Sequence, residues 1–180
     1  MAKTSDKKYI SRCEKYHLKA GYVYVTKKPS IITTILGSCI CICFYDTKKN
    51  YGGMNHYIFP KAKRKNPTTK FGDVSINVLY KTFIDMGSKP EDLVAQIAGG
   101  AYIENNYASI KASIENIKVF EEKIIDLKIK IIYKDIGGIA GRKVCFLTEL
   151  NEIKITKIEN INQINFINNN KFTKEHYEKD

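Results

Sequence analysis

Three of the chain's five cysteines stand at alternate positions in the stretch "GSCICICFY", residues 37–45, and one of its three histidines follows in "GGMNHYIF", residues 52–59. Cysteines so close together can ligate a metal, form a disulfide, or include a nucleophile. A run dense in β-branched and aromatic residues reads as a strand, which puts Cys39, Cys41 and Cys43 on one face and Ile40, Ile42 and Phe44 on the other. Alternate Cα atoms in a strand lie about 6.6 Å apart. Zinc needs its thiolates converging at ~2.3 Å, and no CxxC knuckle with spaced histidines accompanies these cysteines. A disulfide needs converging Cβ vectors, whereas side chains on one face of a strand run parallel. No metal site is therefore expected, and Cys41 and Cys43 read as small buried packing residues.

Cys39 differs because it follows Gly37-Ser38, where a turn becomes a strand and backbone N–H groups are free of the sheet. The polar segment "DTKKN" makes residues 39–59 a hairpin. A four-residue loop at Asp46–Lys49 pairs Tyr45 with Asn50 and places Cys39 directly opposite His56, within ~4.5–5.5 Å at Cβ. A loop one residue longer or shorter turns these faces apart, and Gly52-Gly53 has the composition of a bulge. His17 lies in the polar start and His176 in the tail, so His56 is the histidine that a hairpin can bring to a cysteine. A thiol beside an imidazole is the arrangement that generates a thiolate for nucleophilic catalysis. A structural histidine is the competing reading.

The elements that must position this pair interleave. Residues 21–26, 30–46 (interrupted at Gly37-Ser38) and 51–59 read as strands. Residues 72–87 carry an apolar stripe at helical spacing, with Asp73 as N-cap and Gly87 as terminator. Residues 92–102 form a buried strand ending at Gly99-Gly100, and 106–127 the longest amphipathic helix. Strands follow at 128–138, 141–149 and 151–158. This is an α/β (α+β) single-domain layered sandwich, with a polar segment at 1–17, one folded domain at 18–158 and a polar tail at 159–180. Gly99, Gly100, Gly137 and Gly138 either shape a cleft or make turns that need positive φ. Arg142 is either half of an ion pair or a substrate contact.

The 180 residues are 43% hydrophobic, enough for one core, and carry a formal charge of +11. Only three of the thirty cations are arginines, so the excess is lysine and reads as a solvated surface rather than a base-reading one. The densest basic stretch, "PKAKRKNPTTK" at 60–70, is a surface loop or a dock for an acidic protein. No apolar run approaches the ~20 residues of a membrane span, and no leader pattern is present. Five cysteines, an odd number, argue for reduced thiols. The expectation is a cytoplasmic monomer without cofactor, membrane insertion or nucleic-acid binding.

At "LGSCICICFYD" (36–46), "GGMNHYIFP" (52–60), "IAGGA" (97–101) and "DIGGIAGRKV" (135–144) the chain resembles the CheD family of chemoreceptor glutamine deamidases, over roughly residues 18–157. The resemblance implies a sandwich similar to the catalytic domain of cytotoxic necrotizing factor toxins. It implies Cys39 as nucleophile, His56 as general base, and Thr33, six residues before the cysteine, as the group that orients the histidine. Backbone N–H groups around Gly37, Ser38 and Cys39 are the expected oxyanion donors. Chemoreceptors are the implied substrates and a CheC-type phosphatase the implied partner. Where the family usually has Ile-Gly-x-Arg-Asn, this chain has "ASIEN" at 112–116 and keeps only Asn116.

Overall fold

A computed structural model describes residues 12–63 and 67–159. Among the described residues nine strands and two α-helices follow in order: β1 Glu14–His17, β2 Tyr22–Thr26, β3 Ser30–Leu36, β4 Ile40–Asp46, β5 Tyr51–Tyr57, α1 Gly72–Asp85, β6 Leu93–Gly99, α2 Tyr107–Leu127, β7 Lys130–Ile136, β8 Gly141–Leu147 and β9 Glu152–Ile158. They build a four-stranded sheet, β1-β3-β8-β9, and a five-stranded sheet, β2-β5-β4-β6-β7. Pairing is antiparallel except for β1 with β3 and β6 with β7.

Three layers result. Both helices cover one face of the larger sheet, where Ile76, Leu79 and Phe83 of α1 and Val119, Phe120 and Ile124 of α2 meet Ile40, Ile42 and Phe44 of β4. The other face packs on the smaller sheet: Cys41, Cys43, Met54 and Ala98 against Ile32, Leu36, Val144 and Phe146. Strand β4, paired on both edges and covered on both faces, is buried along its whole length. That explains the unbroken apolar run "ICICFY", since a strand with helices on one side and a second sheet on the other has no solvent face to alternate with.

The helices follow their local chemistry. Gly72 opens α1 against the ring of Tyr57, where a Cβ would lie 2.8 Å from a ring carbon. The expected cap is corrected: Phe71 occupies the N-cap with no side-chain bond, and Asp73 sits in the first turn, accepting from the Ala62 and Val74 amides. Asn106 caps α2 by accepting from the Ser109 amide at 2.9 Å. Residues 14–17, part of the segment read only as polar, form an edge strand beside β3, so the sheet begins inside that segment. Of the basic loop, Lys61 pairs with Glu122 at 2.6 Å, while residues 64–66 and the tail from 160 lie outside the described residues.

The β4–β5 register also differs from expectation. Asp46 ends β4 opposite Tyr51, and its buried carboxylate accepts from the amides of Lys48 and Lys49 at 2.9 and 2.8 Å, starting the turn rather than sitting within it. The loop is therefore residues 47–50, and every pair moves by two. Cys41, not Cys39, stands directly opposite His56. A shift of two preserves the face, so Cys39 remains on the His56 side as its diagonal neighbour.

Candidate active site

Cys39 sits just before β4, half-buried, and packs at the margin of the core between the sheets. Cys41 and Cys43 are at most 1% exposed in the same core, which leaves Cys39 as the member of the trio open to an incoming molecule. All five cysteines are free thiols. The backbone around Cys39 is tied to β6 and its following turn: Gly100 N donates to Cys39 O at 2.8 Å and Ala101 N to Gly37 O at 2.9 Å. Gly99 has φ +122°, and a Cβ there would fall 2.1 Å from Cys39 O, so only glycine allows this approach. Gly100, Gly137 and Gly138 also have positive φ.

His56, 4% exposed, projects from β5 into the space between the sheets. Its Nδ1 lies 2.8 Å from Oγ1 of Thr34 on β3 in the opposing sheet. The same hydroxyl donates its single proton to Leu18 O at 2.8 Å. Towards the imidazole it therefore accepts, which assigns the proton of the ring to Nδ1 and leaves Nε2 with its lone pair. That Nε2 is buried and has no hydrogen-bond partner. Diagonal neighbours on an antiparallel pair are ~7–8 Å apart at Cα and closer at Cβ, within reach of an imidazole.

The threonine hydroxyl beside His56 is that of Thr34, the neighbour of Thr33, which the resemblance implies as the orienting group. Thr33 faces the outer side of the smaller sheet, with Oγ1 3.4 Å from His17 Nδ1, and Thr34 takes the inner position. Successive side chains of a strand point to opposite faces, so a one-residue offset changes which threonine meets the base. No spacing within "SIITTIL" distinguishes the two. The signal lies in which face of β3 packs inward, with Ile32 and Leu36.

Burial sets the charge state of the pair. It pushes the Cys39 thiol up to about 11, against a smaller pull from its own backbone amide. It lowers His56 to about 4, with the His17 side chain adding to the effect. A neutral thiol and a neutral imidazole are the resting forms.

Arg142 is 2% exposed and donates to Asp135, Ala140 O and Gly137 O at 2.8–3.1 Å. Of the two readings of this residue, the ion pair is present: its guanidinium pairs with Asp135 and braces the β7–β8 turn. Among the described residues there is no cluster of three or more metal-ligating side chains, and no helix long and apolar enough to cross a membrane.

Residues 58–157 match the family model CheD chemotactic sensory transduction. The match starts two residues after His56. Three relatives, each carrying the name "Probable chemoreceptor glutamine deamidase CheD", extend the likeness. The protein of Sulfurimonas denitrificans is 33% identical over 135 residues, 73% of this chain and 86% of that protein. The one from Methanococcus vannielii is 31% identical over 150 residues, covering 82% and 97%. The one from Caulobacter vibrioides is 33% identical over 139 residues, covering 75% and 73%. Set beside the layered sandwich and a thiol and a histidine on one strand face, these matches place the chain in the CheD family.

Proposed function

We propose that this protein is a cysteine-dependent amidohydrolase that converts glutamine side chains of chemoreceptors to glutamate. The observation that carries the reading is His56 Nε2, an unprotonated and unpartnered nitrogen on the strand face shared with the half-buried Cys39. Cys39 Sγ attacks the carboxamide carbon as His56 Nε2 takes its proton. The carbonyl oxygen becomes an oxyanion held by backbone N–H groups of the Gly37–Cys39 turn. The imidazolium returns the proton to the nitrogen, the C–N bond breaks, and ammonia leaves a thioester. Water, giving a proton to His56, attacks the thioester, and the C–S bond breaks to release glutamate and restore the thiol. In this scheme Thr34 takes the orienting role, holding the Nδ1–H tautomer from the opposite sheet.

We further propose a cytoplasmic, monomeric chain, and from the family resemblance a CheC-type phosphatase as binding partner, which co-elution of the two proteins on size exclusion tests. For the chemistry, a receptor cytoplasmic fragment rich in glutamine is incubated with wild type, Cys39→Ala and His56→Ala. Mass spectrometry then reads the amide-to-acid change of about one mass unit per site. Conversion is expected with wild type alone. Conversion that survives Cys39→Ala overturns the mechanism. No conversion by wild type on any receptor leaves a non-catalytic adaptor.

A further inference from the structure

Three consecutive carbonyls around the nucleophile are each held by a donor, and only one of these donors is a side chain. Gly37 O accepts from Ala101 N and Cys39 O from Gly100 N. Between them, Ser38 O accepts from Nδ2 of Asn116 at 3.0 Å. The same Nδ2 donates at 2.9 Å to O of Ile58, two residues beyond His56. Asn116 is fully buried in the middle of α2, and its own backbone O accepts from the Tyr57 hydroxyl at 2.7 Å. One amide thus joins the turn bearing Cys39 to the strand end bearing His56.

We infer that Asn116 is a positioning residue for the reaction, which turns the Ser38–Cys39 peptide so that the Cys39 N–H is presented to the oxyanion. The inference rests on the deamidase reading above. Among the described residues no peptide is cis, and in a trans peptide the C=O and N–H point in opposite directions. Helix α2 packs on the Ile40–Tyr57 face of the larger sheet, whereas Cys39 packs on the face turned to the smaller sheet. Drawing Ser38 O towards α2 therefore turns the Cys39 N–H away from the helix, to the side of its own sulfur. None of the turn and loop backbone hydrogen bonds of the described residues is donated by Gly37, Ser38 or Cys39. A neighbouring contact reinforces the clamp. Ser113, one turn before Asn116, donates from its hydroxyl to Gly100 O, and Gly100 N holds Cys39 O.

An oxyanion donor contributes to acyl transfer and not to displacement at a saturated carbon, which separates this role from a merely structural one. Asn116→Asp keeps the size of the side chain and loses the donor; Asn116→Ala serves as second variant, and both are assayed below their melting temperatures. The readouts are kcat and KM for glutamine conversion on the receptor fragment, and the rate of Cys39 alkylation by iodoacetamide at pH 9. A fall in kcat of about 10- to 100-fold is expected, given that one oxyanion donor is worth ~10²–10³. KM stays near wild type, and the alkylation rate falls far less than kcat, by no more than the small pull of the Cys39 amide on its own sulfur. Unchanged kcat in both variants, or alkylation that falls in step with kcat, overturns the inference. Absence of conversion by wild type overturns the deamidase reading and this inference together.

Discussion

The proton affinities of Cys39 and His56, about 11 and about 4, predict an unusual resting state for a thiol–imidazole pair. Transfer of the proton from sulfur to nitrogen is uphill by about seven powers of ten, about 10 kcal/mol at ~1.4 kcal/mol per tenfold. Attraction between the two charges formed returns about 4 kcal/mol at ~4 Å and an effective dielectric constant of ~20. The ion pair then remains ~6 kcal/mol above the neutral pair, a population of about one in 10⁴. The thiolate forms only as the substrate carbon approaches. The perturbation is pH and the assay is alkylation of Cys39 by iodoacetamide between pH 5 and 11, followed by intact mass. The rate is expected to rise as a single curve with its midpoint above pH 10. At pH 7 it is expected to be some hundredfold below that of an ordinary thiol of pKa ~8.5, because the thiolate fraction is ~10⁻⁴ rather than a few per cent. Receptor deamidation, which needs only a neutral base and a protonated thiol, is expected to be flat from pH 5 to 9 and to fall near pH 4. An alkylation rate already at its plateau below pH 7 refutes the reasoning, since that is the signature of a resting thiolate–imidazolium pair.

Thr34→Val is expected to lower kcat by part of the ~10²–10⁴-fold that a positioned base contributes, while Thr33→Val stays near wild type; the reverse order in a side-by-side rate measurement removes Thr34 from the site. The fold should be acid-labile through His56. Its folded value near 4 lies below the ~6.5 of the unfolded chain, so the unfolded state binds the proton first as pH falls. Stability present above pH 6.5 is then lost by about 3 kcal/mol on reaching pH 4, and urea unfolding at pH 7 and 4 should show a smaller loss for His56→Gln than for wild type. Gly99→Ala, which sets a methyl against Cys39 O at φ +122°, should destabilise by about 2–4 kcal/mol and remove activity; a melting temperature equal to wild type contradicts the close approach.

What was legible in the sequence was whatever depends on local pattern. The run "ICICFY", the stripe of 72–87 and the amphipathic 106–127 each carry their own period, and the strands and helices stand there. Cys39 stands apart from the other two cysteines through the turn before it. The hairpin register expected from the sequence differs by two residues because Asp46 looks like turn material, yet its side chain accepts the turn amides while its backbone closes the strand. The choice between Thr33 and Thr34 was out of reach because it depends on which side of β3 meets the other sheet, a property of packing. The strand at 14–17 was hidden because an edge strand with every residue exposed needs no apolar alternation. In the sequence Asn116 shows only as the residue of "ASIEN" shared with the family's segment. Its two acceptors lie 78 and 58 residues away, and no spacing encodes them.

The hydrogen bond from His56 to Thr34 runs between layers: the ring hangs from one sheet and the hydroxyl belongs to the other. The spacing of the two sheets, set by Met54, Cys43, Val144 and Phe146, is thus also the aim of the base. A substitution in this filling that moves the sheets by a few tenths of an ångström costs about 1 kcal/mol of stability, as small core changes do, and it also turns the lone pair of Nε2. Turnover is in that sense a gauge of interlayer distance, and the greasy interior of the sandwich is held to the tolerances of chemistry as well as to those of folding.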